Sequence, residues 1–226
     1  GKIFDKLINS NEPLRVLYNH KNIANRQLGI YLSIRNEQNE EAEINVIQSN
    51  SGPSKDEVYV GHLMSKEFFQ KIMDNKSETI KIPSGYTKTI TWKECKPGHV
   101  IAGMVRINPL KENQQLNVQM KIVDSDFPEL SGLNEALGNE KFQYGYFTQG
   151  YRGVIREFTS ESQLAEIPIA GEPFLFDRNN RIELQGNYGL IYNIHVLLTN
   201  NKPGFMCVSL YYSPAGGISR GTFRID

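Results

Sequence analysis

The chain has 226 residues, 39% of them hydrophobic, enough to bury the core of one large all-β domain or of two small ones. Its 25 basic and 25 acidic residues cancel, so no net field draws it toward nucleic acid or anionic lipid, and neither partner is expected. No apolar run approaches the roughly 20 residues of a membrane span, and "GKIFDKLINS" scatters its apolar residues among charges, unlike a secretory leader.

In chain order, residues 1–14 read as an N-terminal arm or lead-in, with Ile3, Phe4, Leu7 and Ile8 seeking burial. A single domain over 15–226 is expected to follow. In "LGIYLSIRNEQNEEAEINVIQ", Leu28, Ile30, Leu32 and Ile34 alternate with Gly29, Tyr31, Ser33 and Arg35. Ala42, Ile44 and Val46 resume the rhythm after a charged turn, so a hairpin is predicted. "SKEFFQKIMDN" places Met64, Phe68, Phe69, Ile72 and Met73 at helical spacing, with Ser65 as the N-cap. "TIKIP" and "TKTITW" flank the turn "PSGY". "HVIAGMVRI" alternates weakly, and "LNVQMKIV" strongly through Leu116, Val118, Met120 and Ile122.

Residues 124–153 lack strong strand patterning and are read as a long insertion, with a weaker helix in "PELSGLNEALGN". "RGVIREFTS" and "RIELQG" are further strand candidates. A second hairpin is predicted from "GNYGLIYNIHVLLTNNKPGFMCVSLYYSPAGG", where Leu190 to Leu198 and Met206 to Tyr212 alternate around "TNNKPG". "SRGTFRI" completes the set. Short strands about 8–12 residues apart, with Pro, Gly and Asn turns, predict an all-β, mainly antiparallel sandwich of immunoglobulin-like or jelly-roll-like kind. One or two short helices would cap its open ends.

The residues hold little assembled chemistry. His20, His62, His99 and His195 are isolated from one another and from ligand-spaced cysteines, so no metal or other cofactor is expected. "DSD" at Asp124 and Asp126 lacks the glycine and distal glutamate of a calcium loop. There is no G-x-S-x-G elbow and no Walker loop. Paired carboxylates for glycoside hydrolysis would meet only in space. Cys95 and Cys207 read as two free, half-buried thiols, with a disulfide between them as the alternative. The aromatic run "KFQYGYFTQGYRG" offers Tyr144, Tyr146, Tyr151 and Arg152 as a ligand-stacking set, although rings at such spacing more commonly serve a sheet.

Six stretches carry a resemblance: "RVLYNHKN", "SNSGPSKDEVYVGH", "IKIPSGYTKTI", "YRGVIREF", "GNYGLIYNIHVLLTN" and "SPAGGISRGTF". They resemble secreted and surface proteins of Gram-positive bacteria that often accompany copper-amine-oxidase-like repeat domains. The repeat itself is not visible here, so no copper chemistry carries over, and the resemblance brings no catalytic residues. It implies an extracellular β-sandwich on a cell wall, S-layer or spore surface, any secretory leader lying outside these residues. The expected role is non-enzymatic, structural or binding, with an envelope polymer or another envelope protein as partner. Two alternatives stand beside it: a subunit that self-assembles by strand exchange, and a hydrolase acting on polysaccharide.

Overall fold

A computed structural model of the chain describes residues 2–8, 13–124, 143–147, 150–176, 183–184, 187 and 189–226. Two antiparallel sheets dominate it. One has four strands in the order β1 (Lys2–Ile8), β8 (Leu116–Asp124), β3 (Leu28–Asn36) and β6 (Thr87–Cys95). The other has five, in the order β5 (Glu78–Ile82), β4 (Ala42–Ser54), β7 (Val100–Pro109), β2 (Leu14–Lys21) and β9 (Gln143–Phe147). The pairings include β1 with β8, β2 with β7, β3 with β6 and β4 with β5, all antiparallel. The first eight strands therefore pair as one long hairpin would, folded over so that alternate halves lie in different sheets.

The sheets face each other across one core. β3 supplies Ile30, Leu32 and Ile34; β8 supplies Leu116, Val118 and Met120; β4 supplies Ala42, Ile44 and Val46; β7 supplies Ile101, Val105 and Ile107. Each set sits two residues apart, the pleat sending alternate side chains inward. Gly103 of β7 completes its inward series by having no side chain: a Cβ there would lie 2.1 Å from the Tyr18 ring that fills the space. Two buried asparagines bracket β3. The Asn22 amide donates to the carbonyls of Arg26 and Cys95, and the Asn36 amide to those of Glu40 and Ile82. Each thus ties a turn to a neighbouring strand end, satisfying carbonyls that burial would otherwise strand.

The helix α1 runs over Glu57–Met73, two turns earlier than the expected start at Ser65. Asp56 is the N-cap, its carboxylate accepting from the Tyr59 N–H at 2.9 Å. Val60, Met64 and Phe68 recur every fourth residue and form the buried stripe. This stripe does not close an end of the sandwich, as expected for a capping helix. It packs on the outer face of the five-stranded sheet, against Leu17, Ile47, Val100, Ala102 and Met104. The weak alternation of β7 follows: its even residues meet the helix and its odd residues meet the core, so both faces are apolar.

The N-terminal arm runs as β1 on the edge of the four-stranded sheet of its own chain. The two predicted hairpins differ from the structure. β3 and β4 form where expected but belong to different sheets, because each finds its partners among strands remote in sequence. In the C-terminal quarter, β13 (Ile191–Thr199) pairs in parallel with β10 (Tyr151–Thr159), and residues 200–226 hold no strand. Between them β11 (Leu175–Phe176) and β12 (Glu183–Leu184) make a minimal ladder, and Leu175 and Leu184 pack against the helix cluster. The candidate helix at 128–139 lies outside the described residues. Of the expected insertion, residues 124, 143–147 and 150–153 are described: 143–147 form the fifth strand β9 beside β2, and 151–153 already belong to β10, so the insertion ends earlier than expected.

Candidate ligand-binding face

Among the described residues no helix lies over the outer face of the four-stranded sheet. β3 presents Gly29, Tyr31, Ser33 and Arg35 there, and β6 places Trp92 directly opposite Tyr31. The two rings lie 5.7 Å apart between centroids, tilted by 47°. The six-membered part of the indole covers Gly29, where a Cβ would come within 2.0 Å of it. Only glycine lets the ring settle on the strand, so its opposite side is turned to solvent and Trp92 is 43% exposed. Large aromatic rings are usually mostly covered.

An open groove of about 380 Å³ borders this ring along β6, the edge strand, lined by Gln27, Pro53, Trp92, Lys93, Glu94 and Lys96. Gln27 Nε2 donates to Glu94 Oε2 at 2.7 Å, which fixes an amide and a carboxylate as one polar wall. Pro53 comes from β4 of the other sheet, so the groove lies where the two sheets meet. Chemically this is one aromatic platform beside donors and acceptors of both kinds. Glu94 is the one carboxylate among the lining residues.

Arg15 occupies the covered side. It is 6% exposed, and its guanidinium lies 5.1 Å from the Phe68 ring centroid and 5.6 Å from that of Tyr151. Its Nη1 donates to the carbonyls of Gly189 at 2.7 Å and Gly150 at 3.1 Å. Burial, with Arg106 acting in the same direction, brings its pKa down to about 10, so the group stays charged at neutral pH. Gly150 is required for this approach, since a Cβ there would overlap the guanidinium at 2.0 Å. Arg15 thus joins β2, α1, β10 and the turn before β13.

The residues expected to stack a ligand fall in several places. Tyr144 and Tyr146 lie on β9 opposite Tyr18 and Val16, and their side chains are outside the described residues. Tyr151 is a wall of the Arg15 clamp. Arg152 stacks on Tyr192 at 5.7 Å and donates to the Pro173 carbonyl. Neighbours on a strand face opposite ways, so Tyr151 and Arg152 serve different contacts. Cys95 is a buried free thiol, its pKa raised by burial, and Cys207 is an exposed free thiol. His20 is buried beside Tyr18, their rings 6.2 Å apart, and burial pushes its pKa down to about 4. Among the described residues no group of three His, Cys, Asp or Glu is placed to hold a metal ion. No helix there is long and apolar enough to cross a membrane.

Trp92, Tyr31 and Gly29 were not singled out by the sequence as a site. The available signal was that the chain's one tryptophan falls in a strand, and that Tyr31 and Gly29 share the less apolar face of another. What joins them is the β3–β6 register, which no local pattern reveals. The chain matches no family model, no curated protein and no solved structure.

Proposed function

We propose that this protein is a non-enzymatic binding module of the bacterial cell envelope, and that it takes an extracellular polysaccharide along the β6 groove with a sugar ring stacked on Trp92. The observation that carries the reading is the exposed indole resting on Gly29 beside the Gln27–Glu94 pair. An aromatic face suits the C–H face of a pyranose, and an amide, a carboxylate and two ammonium groups suit its hydroxyls. The envelope setting rests on the sequence resemblance. Polysaccharide hydrolysis is disfavoured at this groove, because a glycosidase needs two carboxyl groups flanking the bond and the lining supplies Glu94 alone.

The strand pairing favours the jelly-roll form of the sandwich over the immunoglobulin-like form. In a jelly roll the first strand pairs with the eighth, the second with the seventh and so inward, as the hairpin of eight strands rolls up. Fold alone says nothing of ligand, so the test is direct binding. Calorimetry and pull-down with purified peptidoglycan, teichoic acid and capsular polysaccharide should find one ligand whose affinity falls tenfold or more in Trp92→Ala, about 1.4 kcal/mol. Binding unaffected by that substitution, or no binding to any of the three, refutes the reading.

A further inference from the structure

We infer that the C-terminal segment Phe205–Tyr212 completes a sheet in a second copy of this chain, adding as a strand to the open edge of β13. β10 and β13 form a two-stranded parallel sheet, and among the described residues no further strand lies on either side. Parallel strands are ordinarily buried on both faces, and two-stranded sheets are marginal alone. This one is instead exposed along much of its length: Leu198 is 54% exposed and Ile155 66%. It is an unfinished sheet.

The same chain carries an unfinished strand. "FMCVSLYY" has no charge, no proline and no glycine, and places Met206, Val208, Leu210 and Tyr212 at a spacing of two. It runs as irregular chain in neither sheet, with Leu210 74% exposed. At about 150–250 Å² for a large apolar side chain, the exposed fractions of β13 and Phe205–Tyr212 leave on the order of 1,000 Å² of such residues open to water. A stable pair needs about 800 Å² from each partner, and a monomer rarely leaves a patch above a few hundred.

The edges themselves select β13. Exposed edge strands are normally guarded by charge or proline. β6 carries Lys88, Lys93 and Glu94, and β10 carries Arg152, Arg156 and Glu157, whereas "IYNIHVLLT" of β13 has no such residue; β9 is uncharged too, but its 5 residues are too short for the whole of Phe205–Tyr212, which the 9 of β13 can match. The turn that follows directs the tail away. Ser160 N–H donates to the Thr199 carbonyl, Asn201 N–H to Ser160 Oγ, and the Asn200 amide closes the loop onto the Gly204 carbonyl. A second copy is favoured over an unrelated partner because one sequence supplies both the vacant edge and the matching strand. Exchange through a short hinge needs no new chemistry.

The experiment uses the exposed thiol. If the pairing keeps the spacing of a hairpin closed by 200–204, Cys207 faces position 197. Leu197→Cys/Cys207→Ser chains, mixed with tagged wild-type chains and oxidised with glutathione disulfide, should give a disulfide dimer holding one chain of each kind. Light scattering of the wild type should give at least twice the 25.7 kDa of one chain. Val208→Lys/Leu210→Lys should return it to one copy while the sandwich unfolds at the same temperature. The inference is overturned by a strict monomer at high concentration. It is equally overturned by Leu197→Cys alone bonding to Cys207 only within its own chain, or by an assembly that survives the lysines.

Discussion

The five-stranded sheet lies under α1, while no described helix covers the outer face of the four-stranded sheet, and the two faces are written differently in the sequence. Under the helix, β7 is apolar on both sides, with Val100, Ala102 and Met104 outward as well as Ile101, Val105 and Ile107 inward. On the other side, β3 and β8 keep mostly polar or small residues outward, apart from Tyr31, its neighbour Trp92 and the buried Val123 opposite Gly29. Continuous apolar character in a strand thus signals a third layer. The aromatic pair on a mostly polar face is the feature on which the proposed binding rests.

The largest expected effect is on the covered side. Phe68→Ala should cost about 3–5 kcal/mol in urea denaturation, since it empties a fully packed site and strips one wall from Arg15. Trp92→Ala should cost less than about 1 kcal/mol, as a surface change, while abolishing most glycan affinity. Equal stability losses at the two positions would erase the contrast between the faces. Acid acts on the interior they share. His20 has a folded pKa near 4 and an unfolded one near 6.5, so between these values the unfolded chain binds the extra proton and stability falls as pH drops. The loss should reach about 3 kcal/mol by pH 4. It should be equally steep in Trp92→Ala, and flattened in His20→Phe.

Smaller changes sharpen the comparison. Gly29→Ala puts a methyl where the indole rests, and the exposed ring can swing away, so stability should move by less than about 1 kcal/mol. Affinity should nonetheless fall to the level of Trp92→Ala in calorimetry. Preserved affinity would mean the flat seat of the ring is unimportant. Asp56→Ala removes the cap of α1 and should cost about 1 kcal/mol in thermal unfolding, without touching binding on the opposite face.

Much of the strand content was legible because a period of two survives in any half-buried strand, as in Leu116, Val118 and Met120. Partner choice was not. The 37–41 turn looked like a hairpin loop, yet it carries the chain from one sheet to the other, as the partners of β3 and β4 and the bonds of Asn36 to Glu40 and Ile82 reveal. The helix start was missed because Gly61 interrupts "DEVYVGH", although Asp56 and Val60 already hold the capping and stripe positions. For the site, the sequence drew attention to the dense aromatics near 142–151. The ring that lies open in a groove is a lone one, made conspicuous by the absent side chain of a residue 63 positions earlier.

The Arg15 clamp has a consequence for heredity. Its guanidinium is caged by two rings and two glycine carbonyls drawn from three distant places in the chain, Phe68, Gly150–Tyr151 and Gly189, and a side chain at Gly150 would overlap it. Descendants of a common ancestor should therefore keep positions 15, 68, 150 and 151 as a set or exchange them together. Such linked substitution would trace how the C-terminal quarter stays fastened to the two-sheet sandwich.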